Sequence, residues 1–170
     1  MSQFIFNSLK RNNSDEISKT INLLYNTVNP VIICVGSDLV VGDSLGPIVG
    51  TKLNEKLQGK AFIYGTLQSP ITAKEITVIQ AEIKKLHPYS KILVIDAAVG
   101  YEEEIGYVKI NQTGIKPGLG VNKDLPLIGD VSIIGIVSDK KDKNLNYTTR
   151  FSLVYALVND IVSGIEKSIG

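Results

Sequence analysis

VIICVGSDLVVGDSLGPIVGTKLNEKL, residues 31–57, is the stretch whose reading decides the fold. Its apolar run from Val31 to Val35 has the character of a buried strand. At Gly36 the run gives way to a polar, glycine-bearing loop, and the loop opens into a helix. Gly46-Pro47 suits the mouth of that helix, where a missing N–H costs nothing, and Val49, Leu53 and Leu57 recur along one face. Strand, loop and helix in this order open an α/β domain. In such sheets ligands bind beyond the carboxyl ends of the strands, so Ser37 to Ser44 is where chemistry is expected.

Working outward, Asn13 followed by Glu16 marks a helix start, and Ile17, Ile21, Leu24 and Val28 recur at helical spacing before Pro30. Upstream, Phe4, Ile5 and Phe6 fit either an edge strand or a loosely docked arm over residues 1–12. Downstream, Ala61 to Tyr64 is a second strand. Thr72 with Glu75 and Ile71 with Ile76 form a capping box and a hydrophobic staple, predicting a helix that buries Ile76, Ile79, Ile83 and Leu86. His87-Pro88 stops it. Lys91 to Ile95 is apolar enough to be a central parallel strand, and it delivers Asp96 at its carboxyl end. Ile105 to Ile110 and Val131 to Val137 are further strands, with an irregular Thr113 to Pro126 between them. Thr148 or Thr149 caps a last helix carrying Val154, Leu157, Ile161 and Ile165. The alternation predicts one domain over residues 1–170, a three-layer αβα fold with a mostly parallel sheet.

Composition narrows the function. A chain of 170 residues, 44% of them hydrophobic, can build a core without disulfides. A formal charge of +1 and the lack of a basic stripe argue against direct nucleic-acid binding. Cys34, the single cysteine, sits inside the first strand and reads as a buried, inert thiol in a reducing compartment. No apolar run approaches the roughly 18 residues of a membrane span, and no leader pattern opens the chain, so a cytoplasmic protein with no membrane contact is expected.

Asp43, in the loop after the first strand, and Asp96, at the end of the third, fall where neighbouring parallel strands bring two carboxylates to one crevice. A close pair titrates as a unit, with one group held as an acid and the other free as a base. That arrangement activates water and protonates a leaving amine. An N-cap is the competing structural role for each. Other chemistries fit the loop less well. Gly36, Gly42 and Gly46 miss the GxGxxG spacing, no GK[ST] follows them, and Ser37 and Ser44 have no histidine base within reach. The only histidine, His87, ends a helix at the far edge of the sheet, which leaves a metal site short of a ligand.

Five segments carry a resemblance: GSDLVVGDSLGPIVGTKL (36–53), YGTLQSP (64–70), VIDAAVG (94–100), PGLGVNKDLPLIGDVSIIGIV (117–137) and, weakly, TRFSLV (149–154). In this order they resemble the YyaC family of sporulation proteins. That family is similar to the spore germination protease and, more distantly, to the hydrogenase maturation endopeptidases. The resemblance implies a phosphorylase/hydrolase-like α/β fold, peptidase-like in character.

Position by position, Asp43 matches an aspartate proposed as catalytic in the germination protease and an acidic nickel ligand in the maturation enzymes. Asp96 matches the second acidic residue of both groups. The third ligand of the maturation enzymes is a histidine well beyond the second acid, and none follows His87 here. Ala98 stands where the family usually has cysteine, and Leu39 where an arginine is common. The glycine loop 117–123 resembles a germination-protease segment. Ser37, Asp38, Ser44, Gly118, Gly120, Asn122 and Lys123 are therefore the candidate substrate-binding residues beside the catalytic pair Asp43 and Asp96. No cofactor is expected, a divalent metal on the two aspartates being the less favoured alternative. The resemblance implies a protease-like hydrolase in the mother cell or forespore of a spore-forming bacterium, acting on a peptide or protein such as a spore protein. A catalytically silent peptide- or protein-binding relative is the competing function. The oligomeric state is left open.

Overall fold

A computed structural model of the chain describes residues 3–116, 127–142 and 149–170. Its elements in chain order are β1 (Gln3–Asn7), α1 (Ser14–Leu24), β2 (Val31–Cys34), α2 (Leu45–Leu57), β3 (Phe62–Tyr64), α3 (Ile76–Leu86), β4 (Ile92–Gly100), β5 (Tyr107–Asn111), β6 (Val131–Asp139) and α4 (Phe151–Ile169). Short 3-10 turns at Gly42–Ser44 and Glu102–Glu104 precede α2 and β5. The six strands form one sheet in the order β1-β5-β6-β4-β2-β3. The four from β6 to β3 run parallel, while β5 is antiparallel to both its neighbours. Gln3–Asn7 is thus an edge strand, which resolves the two readings of the N-terminal segment.

Strand alternation divides the core. Ile32, Cys34, Leu93, Ile95 and Ile133 face the layer of α1, α2 and α4, while Val31, Ile33, Ile92 and Val94 face α3. Every strand of the parallel centre is covered on both sides, as its continuous apolar sequence requires. The α/β three-layer architecture expected from the sequence is the one observed.

Four local expectations are corrected. Helix α1 stops at Leu24, so Val28 lies beyond it and is exposed. The chain instead turns inward at Tyr25, whose hydroxyl accepts the Val31 N–H at 2.7 Å and pins the start of β2. Asn13 stands at the N-cap of α1 without capping it; its side-chain amide donates to Asp160 Oδ2 at 2.9 Å and ties α1 to α4. On α3, Ile76 and Ile83 are buried but Leu86 is exposed, and Gln80 is buried in its place because its side-chain oxygen accepts the Gly129 N–H at 2.7 Å. The fourth concerns β4. It does not end at Ile95 but runs on to Gly100, because β6 continues beside it as far as Asp139.

Candidate active site

Strand β2 ends opposite Ile95 of β4. The loop that follows folds back on itself: the Ser37 N–H donates to the Asp43 backbone carbonyl at 3.1 Å, and Asp43 N–H to the Val40 carbonyl at 3.0 Å. Gly36, at φ +141°, makes this possible, since the Asp43 carbonyl oxygen fills the space a Cβ there would need. At Gly46 the Val35 carbonyl oxygen does the same, which lets α2 start hard against the end of β2. The loop thereby presents Asp43 at the carboxyl end of the parallel strands.

Beyond that end lies a cavity of about 290 Å³. Val40, Gly42 and Asp43 form one side, Ala97, Ala98 and Val99 of β4 the other, and Val137 and Thr149 close it. Asp96 is the neighbour of this wall rather than part of it. Its Oδ1 accepts the Ala97 N–H at 2.8 Å. Burial pushes the Asp96 carboxyl up to about 8 against that hydrogen bond, and the Asp43 charge adds to the rise. Asp43 is also raised, by burial first, with the Ser37 backbone amide pulling the other way. The two carboxyl groups are therefore coupled, the Asp43 charge being the smallest of the causes that act on Asp96.

The other sequence candidates separate. Ser37 Oγ accepts the Leu39 N–H at 3.2 Å, and Asp38 is exposed at the loop tip outside the cavity. Ser44 is buried and donates to the Val41 carbonyl at 2.7 Å, so its hydroxyl turns away from the cleft. Gly118, Gly120, Asn122 and Lys123 lie outside the described residues. Thr148 does too, while Thr149 does not cap α4: Arg150 occupies that position, and Thr149 Oγ1 is buried without a hydrogen-bond partner among the described residues. Thr149 and Val99 are cavity residues that the sequence alone did not single out. Cys34 is fully buried, and burial pushes its thiol up. His87 ends α3 at the far edge, its Nε2 2.7 Å from the Tyr64 hydroxyl.

A wider cleft of about 880 Å³ lies beyond Val137, between the end of β6 and the start of α4, and includes neither aspartate. Among the described residues no three His, Cys, Asp or Glu side chains are gathered as a metal set. Asp43 and Asp96, with no histidine after His87 in the sequence, do not make up the acid, acid and histidine set of a nickel site. No helix among the described residues is long and apolar enough to cross a membrane.

Fold and site together define a three-layer α/β protein with two interacting aspartates at the carboxyl end of its parallel strands. The chain belongs to the family described as "Protein of unknown function (DUF1256)", which matches residues 6–164. It is 37% identical over 137 residues to the uncharacterized protein YyaC of Bacillus subtilis (strain 168), a match covering 79% of this chain and 67% of that protein. Among solved structures, the NiFe hydrogenase maturation protease HycI from Thermococcus kodakarensis KOD1 aligns over 84% of this chain and 98% of its own, at 15% identity and a TM-score of 0.48.

Proposed function

We propose that this protein is a protease-like hydrolase of spore-forming cells that cuts a peptide bond with a water activated between Asp43 and Asp96. The observation that carries the reading is the placement of two carboxyl groups at one cavity beyond the carboxyl ends of the parallel strands, Asp43 in one wall and Asp96 next to Ala97 of the other. Burial pushes Asp96 up to about 8, with the Asp43 charge adding to the rise, and burial raises Asp43 as well. A protonated Asp96 beside an ionised Asp43 would supply the carboxylic acid and the carboxylate that a hydrolysis needs.

In the proposed reaction the Asp43 carboxylate takes a proton from water as the water oxygen bonds to the carbonyl carbon. Asp96 then gives its proton to the departing nitrogen as the C–N bond breaks. The atoms balance with water as the only co-reactant, and the scheme calls for no cofactor. The substrate is a peptide or protein, with spore proteins as the class the family kinship favours.

One observation favours the second reading, a catalytically silent peptide-binding relative: Asp96 already accepts a backbone N–H, as a capping residue would. A pure cap, however, is held below its ordinary pKa by such a bond, and Asp96 moves the other way.

The deciding experiment incubates the purified protein, Asp43→Asn and Asp96→Asn with a spore-extract proteome and reads new termini by mass spectrometry. Termini made by the wild type and lost in both variants support hydrolysis. Termini that persist in either variant, or none from the wild type across pH 5 to 9, overturn it.

A further inference from the structure

Strand β4 is paired on both edges only as far as Ile95. Past that point β6 continues along one edge, while on the other β2 has ended. The hydrogen bonds fix which groups face the open side. The Ile95 carbonyl turns toward β2, accepting the Val35 N–H at 2.8 Å. The Ile92 and Gly100 carbonyls turn the other way, each accepting at 2.8 Å from Asp130 and Lys140 at the two ends of β6. The pairing with β6 shifts register between Ala98 and Val99, where Val137 of β6 is skipped, so alternation along β4 itself holds as far as Gly100 and the N–H and C=O of Ala97 and of Val99 point to the side that β2 has left.

Of these four groups, the Ala97 N–H is taken by Asp96 Oδ1. For the Ala97 carbonyl and the Val99 amide and carbonyl, no partner on that side is found among the described residues. The three groups border the 290 Å³ cavity, whose far wall is the Asp43 loop. A second polar group there lacks a partner among the described residues: Thr149 Oγ1 is buried and unbonded. It lies 3.2 Å from where a Cβ on Gly42 would stand, so a larger residue at 42 would press on it. The small side chains of Ala97 and Ala98 keep the opposite wall low, and Val99 exposes apolar surface there.

Unpaired strand-edge groups at strand spacing match one chemical partner, the backbone of an extended polypeptide. We propose that a substrate polypeptide binds by strand addition to the open edge of β4 at Ala97–Val99, between that edge and the Asp43 loop. The inference rests on the hydrolase reading for the fate of the bound chain, and it names how the substrate is held. The added backbone pairs with the Ala97 carbonyl and the Val99 amide, Thr149 Oγ1 bonds the segment from the end of the cavity, and Asp96 marks the inner end of the edge. Recognition is then through main chain first. Side-chain selectivity is confined to the residue entering the cavity, and a segment must be unfolded or extended to bind.

The test uses blocked random-sequence decapeptides titrated into ¹⁵N-labelled full-length Asp43→Asn protein. The Val99 amide resonance is expected to shift and its hydrogen exchange to slow at least about tenfold, while the amides of β1 at the far edge stay unchanged. Val99→Pro, which removes the edge N–H but no bond to β6, should weaken retention of the peptides at least about tenfold, and Val99→Ala should hold it within about twofold. Peptides that bind or are cleaved without altering the Val99 amide, or that bind Val99→Pro as well as the parent, overturn strand addition. Should Val99→Pro not fold, the exchange measurement decides alone. Protection of Val99 with no cleavage by the wild type overturns hydrolysis and leaves strand addition standing. Cleavage with an unperturbed Val99 does the reverse, and silence of both readouts overturns both.

Discussion

The Asp43 backbone carbonyl occupies the space that a Cβ on Gly36 would need, and the Ser37 N–H donates to the same oxygen at 3.1 Å. The loop that carries the candidate base is therefore closed by a residue that must be glycine. Gly36→Ala meets both a φ of +141° and a backbone clash. We expect it to destabilise the protein by about 2–3 kcal/mol in urea unfolding and to lower any hydrolysis more than tenfold by displacing Asp43.

Asp96→Asn should stabilise the protein in a pH-dependent way. An unfolded aspartate ionises near pH 4, whereas the folded Asp96 does so at about 8. Between those values the folded state binds the extra proton, so stability from this group falls as pH rises from about 4 to about 8 and is level beyond. The asparagine removes that loss. Denaturant melts at pH 5, 7 and 9 should show a gain growing to about 3 kcal/mol at pH 9, roughly half the full shift being discounted for relaxation and water entry.

Asp43→Asn removes one of the causes that raise Asp96. The Asp96 carboxyl should then titrate below about 8 in a ¹³C NMR titration, and the reciprocal Asp96→Asn variant should leave Asp43 ionising at or below its present position. A pH–rate profile of the wild type should fall on its alkaline side near pH 8, where the acid is lost.

Tyr25→Phe should cost about 1–3 kcal/mol, since the Val31 N–H at the buried start of β2 would lose its 2.7 Å acceptor. The same hydroxyl lies 3.0 Å from the Lys91 carbonyl ahead of β4. Amide exchange at Val31 should rise in the variant while that at β5 is unchanged.

The β2–loop–α2 unit was legible because every local signal agreed: an unbroken apolar strand, a proline in the first helical turn, and apolar residues on one face thereafter. Asp43 followed from that unit. The overhang of β4 has a sequence signal, since Ala97, Ala98 and Val99 prolong the apolar run past Asp96, but Asp96 interrupts it. A charged residue reads as the end of a strand, but one-sided pairing with β6 carries this strand further. Val28 and Leu86 satisfied helical periodicity, but Asn29, at φ 56°, turns the chain after α1, and α3 ends at Leu86 itself. Thr149 carried no signal for a place in the cavity. Its position opposite Gly42 arises from packing between segments far apart in the chain, and a threonine just before a helix reads as a cap.

Helix α1 sets its apolar stripe against α4, with Gly164 so close to Ile17 that a Cβ would strike the isoleucine methyl, and with Asp160 Oδ1 accepting the Asn13 N–H at 2.9 Å. Helix α1 is thus completed by a helix far later in the chain. As the chain leaves the ribosome, Ile17 and Ile21 lack that partner until residues 151–169 emerge, so this layer closes late in synthesis relative to the making of α1. A nascent chain arrested before α4 would expose that apolar face to chaperones, and truncation within α4 would be read by the cell as a folding defect rather than as a loss of chemistry.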